Sequence, residues 1–525
     1  MNFKLRSLVA ATLAGSMLMG FGANAMADST DDILNALIAK GILTEEEGAL
    51  LQKGRTGEKE AAADKKKTAV SIKNKDGAMV LETGDGKNSM ALTGRLHFDA
   101  RSVDTNSTAA NPTTLVDKDS TSLADQFEIR RARIGVKGKM FEHFDYEVIG
   151  NLVGSNTNTI DVAYVNAGML KQAQVKIGQF KQPFNLEEYG TSSNNIDFME
   201  RSYVNQLSPA KKPGFMIHGV PTAGISYAAS VYQQNAFGEV DAKNTDKGFA
   251  GRLTGNFAEL AGWKDSVFHV GVAGFDSEYG VTPTTSSSGG TATAATIVNF
   301  RTEGRGIANG YRAQIGGTAT TVAGFSAASP NTASMKNKAY GLELAATYGP
   351  FKVQGEYTDQ SFDAVAATNT ASLDAEAYYV EALWLLTGES YSDWYKNGAW
   401  GGIKPKSNFD IETGKGKGAW EIGLRYDEYK VDNVTYNAVG SSSNLNRVQG
   451  SSANVAGGSS TNNGTGANGG AKTYTVGIKW QLTPNMRMLA NYSHTKFDNT
   501  FTVVDTAIAG VNEEDLLMLR TQFSF

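Results

Sequence analysis

From residue 89 to the end of the chain, apolar residues recur at every second position. In ALTGRLHFDA (91–100), Leu92, Leu96, Phe98 and Ala100 share one face, while Arg95, His97, Asp99 and Arg101 share the other. EIGLRYDEY (421–429) and KTYTVGIKW (472–480) alternate in the same way, and the second presents Tyr474, Val476, Ile478 and Trp480 together. A period of two is the period of a strand with unlike faces. It predicts strands over 89–103, 125–139, 142–153, 160–170, 173–180, 213–219, 222–234, 246–258, 264–277, 338–348, 351–362, 374–388, 418–432, 471–482, 485–498 and 511–525, sixteen in all. The chain ends MLRTQFSF, with Leu517, Leu519, Phe523 and Phe525 opposed to Arg520, Gln522 and Ser524.

The connections fall into two kinds. KMFEH (139–143), LKQA (170–173), GVPT (219–222), YGPF (348–351) and LTPN (482–485) are short. Residues 281–296, 313–334 and 440–470 are long and rich in Ser, Thr, Asn and Gly. Short turns at one end and long loops at the other describe an outer-membrane barrel with the short turns in the periplasm. Residues 278–337 then form one outer excursion that holds the strand-like IVNF (297–300); a hairpin over 296–312 would raise the count to eighteen. The expected fold is all-β, a 16-stranded antiparallel transmembrane β-barrel with a short N-terminal helical segment.

Charge sharpens this picture. FEIRRARIGVKGKM (127–140) puts Ala132, Ile134, Val136 and Gly138 on one face and Arg131, Arg133, Gly135, Lys137 and Lys139 on the other. A basic arm for nucleic acid is more often a helix or a disordered run. Arg against lipid costs about 2–4 kcal/mol at the midplane, so these side chains are expected in the lumen. The same alternation places Arg95, Arg101, Lys176, Arg252, Lys352, Arg425, Lys479, Arg487 and Arg520 there, with Asp99, Asp145, Glu147, Glu343, Glu356, Glu421 and Asp427. The lumen list is thus more basic than acidic, in a chain whose formal charge is −5. A cationic lumen concentrates anions; alternatively the charges only hydrate and pair across the wall.

The first 27 residues carry Lys4 and Arg6, an apolar stretch from Leu8 to Phe21, and Ala25-x-Ala27 before Asp28. This is a secretory signal peptide pattern, too short to span a bilayer. In 28–53, Ile33, Leu34, Leu37 and Ile38 have helical spacing, Gly41 suits a helix stop, and Thr44 with Glu47 makes a capping box. Residues 54–68 are charged and low in complexity, which suggests a linker. The expected organisation is 1–27 signal peptide, 28–68 periplasmic helical segment and linker, and 69–525 barrel. The helical segment is first a packing hairpin; periplasmic oligomerisation, or contact with peptidoglycan through residues 28–53, is the second reading. The 525 residues include no cysteine, which excludes disulfides and thiolate metal sites. The net acidic charge argues against nucleic acid as a partner. The five histidines, His97, His143, His218, His269 and His494, lie in no hydrolase or metalloprotease motif, so neither catalysis nor a metal or other cofactor is expected.

Six segments then become specific: GRLHFDAR (94–101), FEIRRARIGVKG (127–138), IDVAYVNAG (160–168), IGQFKQPFNLEEYGTSSNNIDFMERS (177–202), LTGESYSDW (386–394) and GAWEIGLRYD (418–427). They resemble the phosphate-selective porin O/P family over roughly residues 85–525. The resemblance implies a homotrimeric porin in the outer membrane of a Gram-negative bacterium, with lipid around it and the loop after the fifth strand folded into the pore. It implies a passive channel in which Arg and Lys hold the anion at a constriction with the help of an Asp. By motif, Arg95 stands for the Arg of the first strand, Asp161 for the Asp of the fourth, and Arg201 for the Arg closing the inward loop. Arg131, Arg133 and Lys181 complete the expected constriction. FRTEGRG (300–306) resembles an arginine-bearing segment, so Arg301 and Arg305 are expected in a conducting ladder. Selective members carry a Lys after the Leu-Glu of the inward loop, where this chain has Glu188. A carboxylate at the narrowest point would repel phosphate, partly offset by Lys181. Two functions are therefore open: a channel for small anions, phosphate or polyphosphate first, or a general or cation-preferring porin for small polar solutes.

Overall fold

In the computed structural model the described residues are 29–75, 78–106, 125–153, 160–234, 247–281, 295–307, 310–315, 333–366, 369–437, 446–449, 463–465, 468–503 and 508–525. The expected signal peptide and most of the three long outer loops lie outside them. Two compact units are present, residues 1–71 with 82–86 and residues 72–81 with 87–525.

The first unit holds α1 (Ser29–Ala39) and α2 (Glu45–Thr68). Thr44 caps α2 as its sequence predicts: Glu47 N donates to Thr44 Oγ1 at 3.2 Å and Thr44 N to Glu47 Oε2 at 3.0 Å. The helix does not stop before residue 54. It continues through the stretch expected to be a linker, because Glu, Lys and Ala are strong helix formers even without an apolar face.

The second unit is a closed barrel. Its strands are β1 (Ser89–Thr105), β2 (Gln126–Met140), β3 (Phe144–Asn151), β4 (Ile160–Leu170), β5 (Ala173–Lys181), β6 (Lys211–Thr222), β7 (Ile225–Gln233) and β8 (Lys247–Asn256). They continue with β9 (Ser266–Val281), β10 (Ala333–Tyr348), β11 (Phe351–Ala366), β12 (Asn369–Leu385), β13 (Ala419–Asn437), β14 (Gly469–Thr483), β15 (Met486–Val503) and β16 (Ile508–Ser524). Each strand pairs antiparallel with the next, and β16 returns to β1 with Leu519 opposite Ala100 and Phe523 opposite Leu96. The last residue completes this seam. Gly94 N donates to Phe525 O at 2.9 Å, and Phe525 N to Gly94 O at 3.1 Å. A side chain at Gly94 would collide with the Phe525 ring, so glycine is what lets the terminus lie there.

Burial is inside out. On β16 Leu519 is 51% exposed while its neighbour Arg520 is 1% exposed. Leu92, Leu96, Phe215, Ile217, Leu342, Leu344, Val476 and Ile478 face outward in the same way. Such a surface suits a hydrocarbon solvent. Near the inner rim Trp420 stacks on Trp480 at 5.0 Å and Phe351 on Trp384 at 5.7 Å, an interfacial aromatic girdle.

The eighteen-strand alternative fails. Ala295–Phe300 pairs with Tyr311–Ile315, but this hairpin joins Asn446–Gln449 of another outer loop in a separate three-stranded sheet. The hairpin is apolar and packs on one side of the lumen. Phe300 stacks on Tyr429 at 4.1 Å, and Tyr203 meets Tyr429 edge-on at 4.8 Å. Leu373, Val431, Leu516 and Met518 complete this apolar filling. Residues 386–418, an inner connection far longer than its peers, also fold inward. Trp400 bridges to Thr191, donates from N to Gly190 O at 2.9 Å and from Nε1 to Gln354 Oε1 at 2.7 Å.

Leu519→Arg is expected to destabilise the barrel by about 2–4 kcal/mol. Urea unfolding in lipid bilayers measures this; a value within about 0.5 kcal/mol of wild type would contradict the outward assignment of Leu519.

Candidate functional site

The loop between β5 and β6, residues 182–210, crosses the lumen, and its own carboxylates fasten it to the wall. It leaves β5 through a single turn, Asn185–Tyr189, whose leading amides are capped by a wall carboxylate: Leu186 N and Glu187 N donate to Glu356 at 2.6 and 2.8 Å. Glu187 closes the loop on itself, accepting from Ser202 N at 2.9 Å and Ser202 Oγ at 2.6 Å, and also pairs with Arg425 at 3.1 Å. Asp197 takes Lys352 at 2.6 Å, with Lys479 at 3.7 Å. Glu200 takes Arg130 at 2.9 Å, Arg131 at 3.1 Å and Arg520 at 2.6 Å. Much of the basic wall is therefore occupied by an acidic loop.

Arg130 belongs to this set although strict alternation turns it toward lipid. A β-bulge admits it: His97 pairs with Arg131, but Phe98 pairs with Ile129. The extra residue lets Phe127 and Ile129 face outward, then Arg131 and Arg133 inward, with Arg130 swung onto Glu200. Arg131 is engaged with Glu200 and lies 3.4 Å from His97 Nδ1, so it clamps the loop and is set apart from the other expected constriction residues.

Those others converge on one side of the lumen. Arg133 pairs with Asp161 at 2.9 Å, and Lys211 pairs with the other oxygen of Asp161 at 2.5 Å. Arg201 reaches Glu188 at 3.2 Å and donates to Glu187 O and Thr191 O, each at 2.9 Å. Lys181 donates to Glu188 O and, at 2.9 Å, to Thr191 O. Arg95 donates to Ser193 Oγ at 2.6 Å and makes no ion pair among the described residues. Five cations, Arg95, Arg133, Lys181, Arg201 and Lys211, thus surround two carboxylates, Asp161 and Glu188.

Glu188 does not stand open at the narrowest point. It is 5% exposed, paired with Arg201, 3.8 Å from Lys181 and bonded by Asn205 Nδ2 at 2.9 Å. Burial alone would raise its pKa, but Arg201, Lys181 and Lys211 outweigh burial and hold it down to about 2. Lys211 escaped the sequence reading because its strand was expected to begin at residue 213. The KK at 211–212 was the available signal.

A second cationic group lies toward the outer end of β1. Arg101 donates to Arg305 O at 2.6 Å and pairs with Glu128 at 3.4 Å, and Arg305 pairs with Glu128 at 3.3 Å. Arg301 is lowered to about 10 by burial and by Arg305, Arg130 and Arg101 around it. Among the described residues no group of His, Asp and Glu could hold a metal ion.

The sequence model described as phosphate-selective porin O and P matches residues 91–525. The chain belongs to that family. It is 26% identical over 480 residues to Porin O of Pseudomonas aeruginosa, covering 87% of this chain and 92% of that protein. Among solved structures it is similar to OmpT of Vibrio cholerae, with 11% identity, TM-score 0.45 and coverage of 84% and 98% of the two chains. It is also similar to the outer membrane channel DcaP of Acinetobacter baumannii, with 11% identity, TM-score 0.43 and coverage of 83% and 97%. This porin is an outer-membrane channel protein.

Because Glu188 is held ionised by its neighbours, its contribution to loop docking is full above the ordinary carboxylate range, near pH 4.5, and fades as pH falls toward 2. Glu188→Gln is expected to give at neutral pH the current noise that wild type shows only in that acid window. Single-channel recording across pH 2–7 checks this; identical noise in both proteins at pH 7 would contradict it.

Proposed function

We propose that the porin is a passive, water-filled channel for small anions, with phosphate as its first candidate and polyphosphate as a longer one. The observation that carries this reading is the excess of Arg95, Arg133, Lys181, Arg201 and Lys211 over Asp161 and Glu188 beside the inward loop. Guanidinium donors match phosphate oxygens two at a time and keep their charge at any physiological pH. Arg95 carries the least compensated charge and is the group we assign to first contact with the anion. Arg301, Arg305 and Arg101 extend the cationic lining outward as a ladder that delivers anions inward. The family is named for phosphate selectivity, and Porin O is a member by name, which supports the same reading.

The pairing of Glu188 speaks against a cation-preferring pore, since a carboxylate facing two or three cations presents little field to a passing ion. The reading also includes a homotrimer, as is typical of porins, and a periplasmic N-terminal segment. It extends to peptidoglycan contact through residues 28–53, on the ground of that periplasmic placement.

In a bilayer with a potassium chloride gradient, the reversal potential is expected to show chloride preference, and added phosphate to block the current. Arg95→Gln should weaken that block about tenfold or more, the loss of one charge-assisted hydrogen bond. Cation preference in wild type would overturn the reading.

A further inference from the structure

A second site lies at the inner ends of β14–β16, between the inward loop and the long inner connection. It is a small recess of about 20 Å³, lined by Asn194, Asn195, Gln481, Asn485, Gln522 and Arg487 among others. Every lining side chain is neutral except Arg487. Arg487 is 3% exposed. Its Nε donates to Gln522 Oε1 at 2.9 Å and its Nη1 to Ile196 O at 3.1 Å, but its Nη2 has no partner. It forms no ion pair among the described residues. The acids nearest it electrostatically, Glu421 and Asp197, are held by Lys479 at 2.6 Å and Lys352 at 2.6 Å. The other charged neighbours, Arg520 and Arg131, add positive potential.

A buried guanidinium with no counter-ion is costly, and its unpaired donor adds to that cost. Other buried arginines of this lumen, Arg252, Arg425 and Arg520, each hold a carboxylate. We infer that Arg487 and the amide-lined recess around it form a binding site for a small inorganic oxyanion on the periplasmic side of the inward loop. The anion supplies the missing negative charge, and the recess gives it a resting place after the constriction. The inference stands apart from the choice of preferred permeant.

Two variants of the full-length protein test it. Arg487→Gln removes the charge. Gln522→Glu keeps Arg487 but places a carboxylate where Gln522 Oε1 already accepts from it at 2.9 Å, so the protein supplies its own counter-ion. Wild-type crystals soaked in selenate are expected to show anomalous density beside Arg487 Nη2, and crystals of either variant none. Phosphate added from the periplasmic side of a bilayer should block each variant about tenfold more weakly than wild type, while block from the outer side is unchanged. If Arg487→Gln fails to fold, Gln522→Glu decides alone. Selenate beside Arg95 but none beside Arg487 in wild type would overturn this inference and leave the proposed function standing. Selenate beside Arg487 in a channel without outer-side phosphate block would do the reverse. Periplasmic-side block as strong in Gln522→Glu as in wild type would also overturn the inference.

Discussion

Hydrocarbon offers no partner to a peptide group, so a sheet can cross it only by closing on itself. That constraint sets everything else in this porin. Closure through the Gly94–Phe525 seam leaves the barrel without an open edge. It also forces each strand to show one face to lipid and the other to the lumen, so charge has nowhere to go but inward. Arg520 beside Leu519 is the consequence at its most local.

A lumen that collects so many ionic groups must pair them or hydrate them. Here pairing doubles as construction. Glu187, Asp197 and Glu200 of the inward loop engage Arg425, Lys352 and the Arg130–Arg131–Arg520 group, and Glu356 of the wall caps the loop's turn. Breaking any such buried pair leaves a lone charge in a poor solvent, which is what holds the loop across the pore. The outer hairpin fills part of the lumen with Phe300 and Tyr311, and Phe300 packs on Tyr203 of the loop. In the function proposed above, ions pass near β1–β6, where the cations outnumber the acids. The chain's formal charge of −5 has no bearing there, because an ion responds to the groups within a Debye length of its path.

Most of the barrel was legible because alternation is a direct image of two solvents. Strand edges moved by a few residues, and the count of sixteen held. What was not legible arises where a second constraint overrides period two. In FEIRRAR the apolar Phe127 and Ile129 and the basic Arg131 and Arg133 are all odd-numbered, and that break in phase is the written trace of the bulge at Arg130. LLML at 516–519 is apolar on both faces because Leu516 and Met518 meet the inward-packed hairpin while Leu517 and Leu519 meet lipid. Residues 54–68 lack an apolar stripe and so looked unstructured, yet their helix propensity sufficed. The partners of Glu188 come from segments far apart in sequence, and no spacing rule could have joined Lys211 to it.

Glu188 shows why the sign of a single residue is a poor guide to the sign of a site. Taken alone, a carboxylate in place of a lysine subtracts two charges from the passage. In the fold it lies among Arg201, Lys181 and Lys211, three groups whose mutual repulsion in a poorly solvated corner would otherwise drive them apart. One buried anion lets three cations share that corner, and the ensemble is still positive. Asp161 does the same for Arg133 and Lys211. The carboxylates therefore set where the cations stand, and it is the density of cations so permitted, more than the count of charges along the chain, that an entering ion encounters.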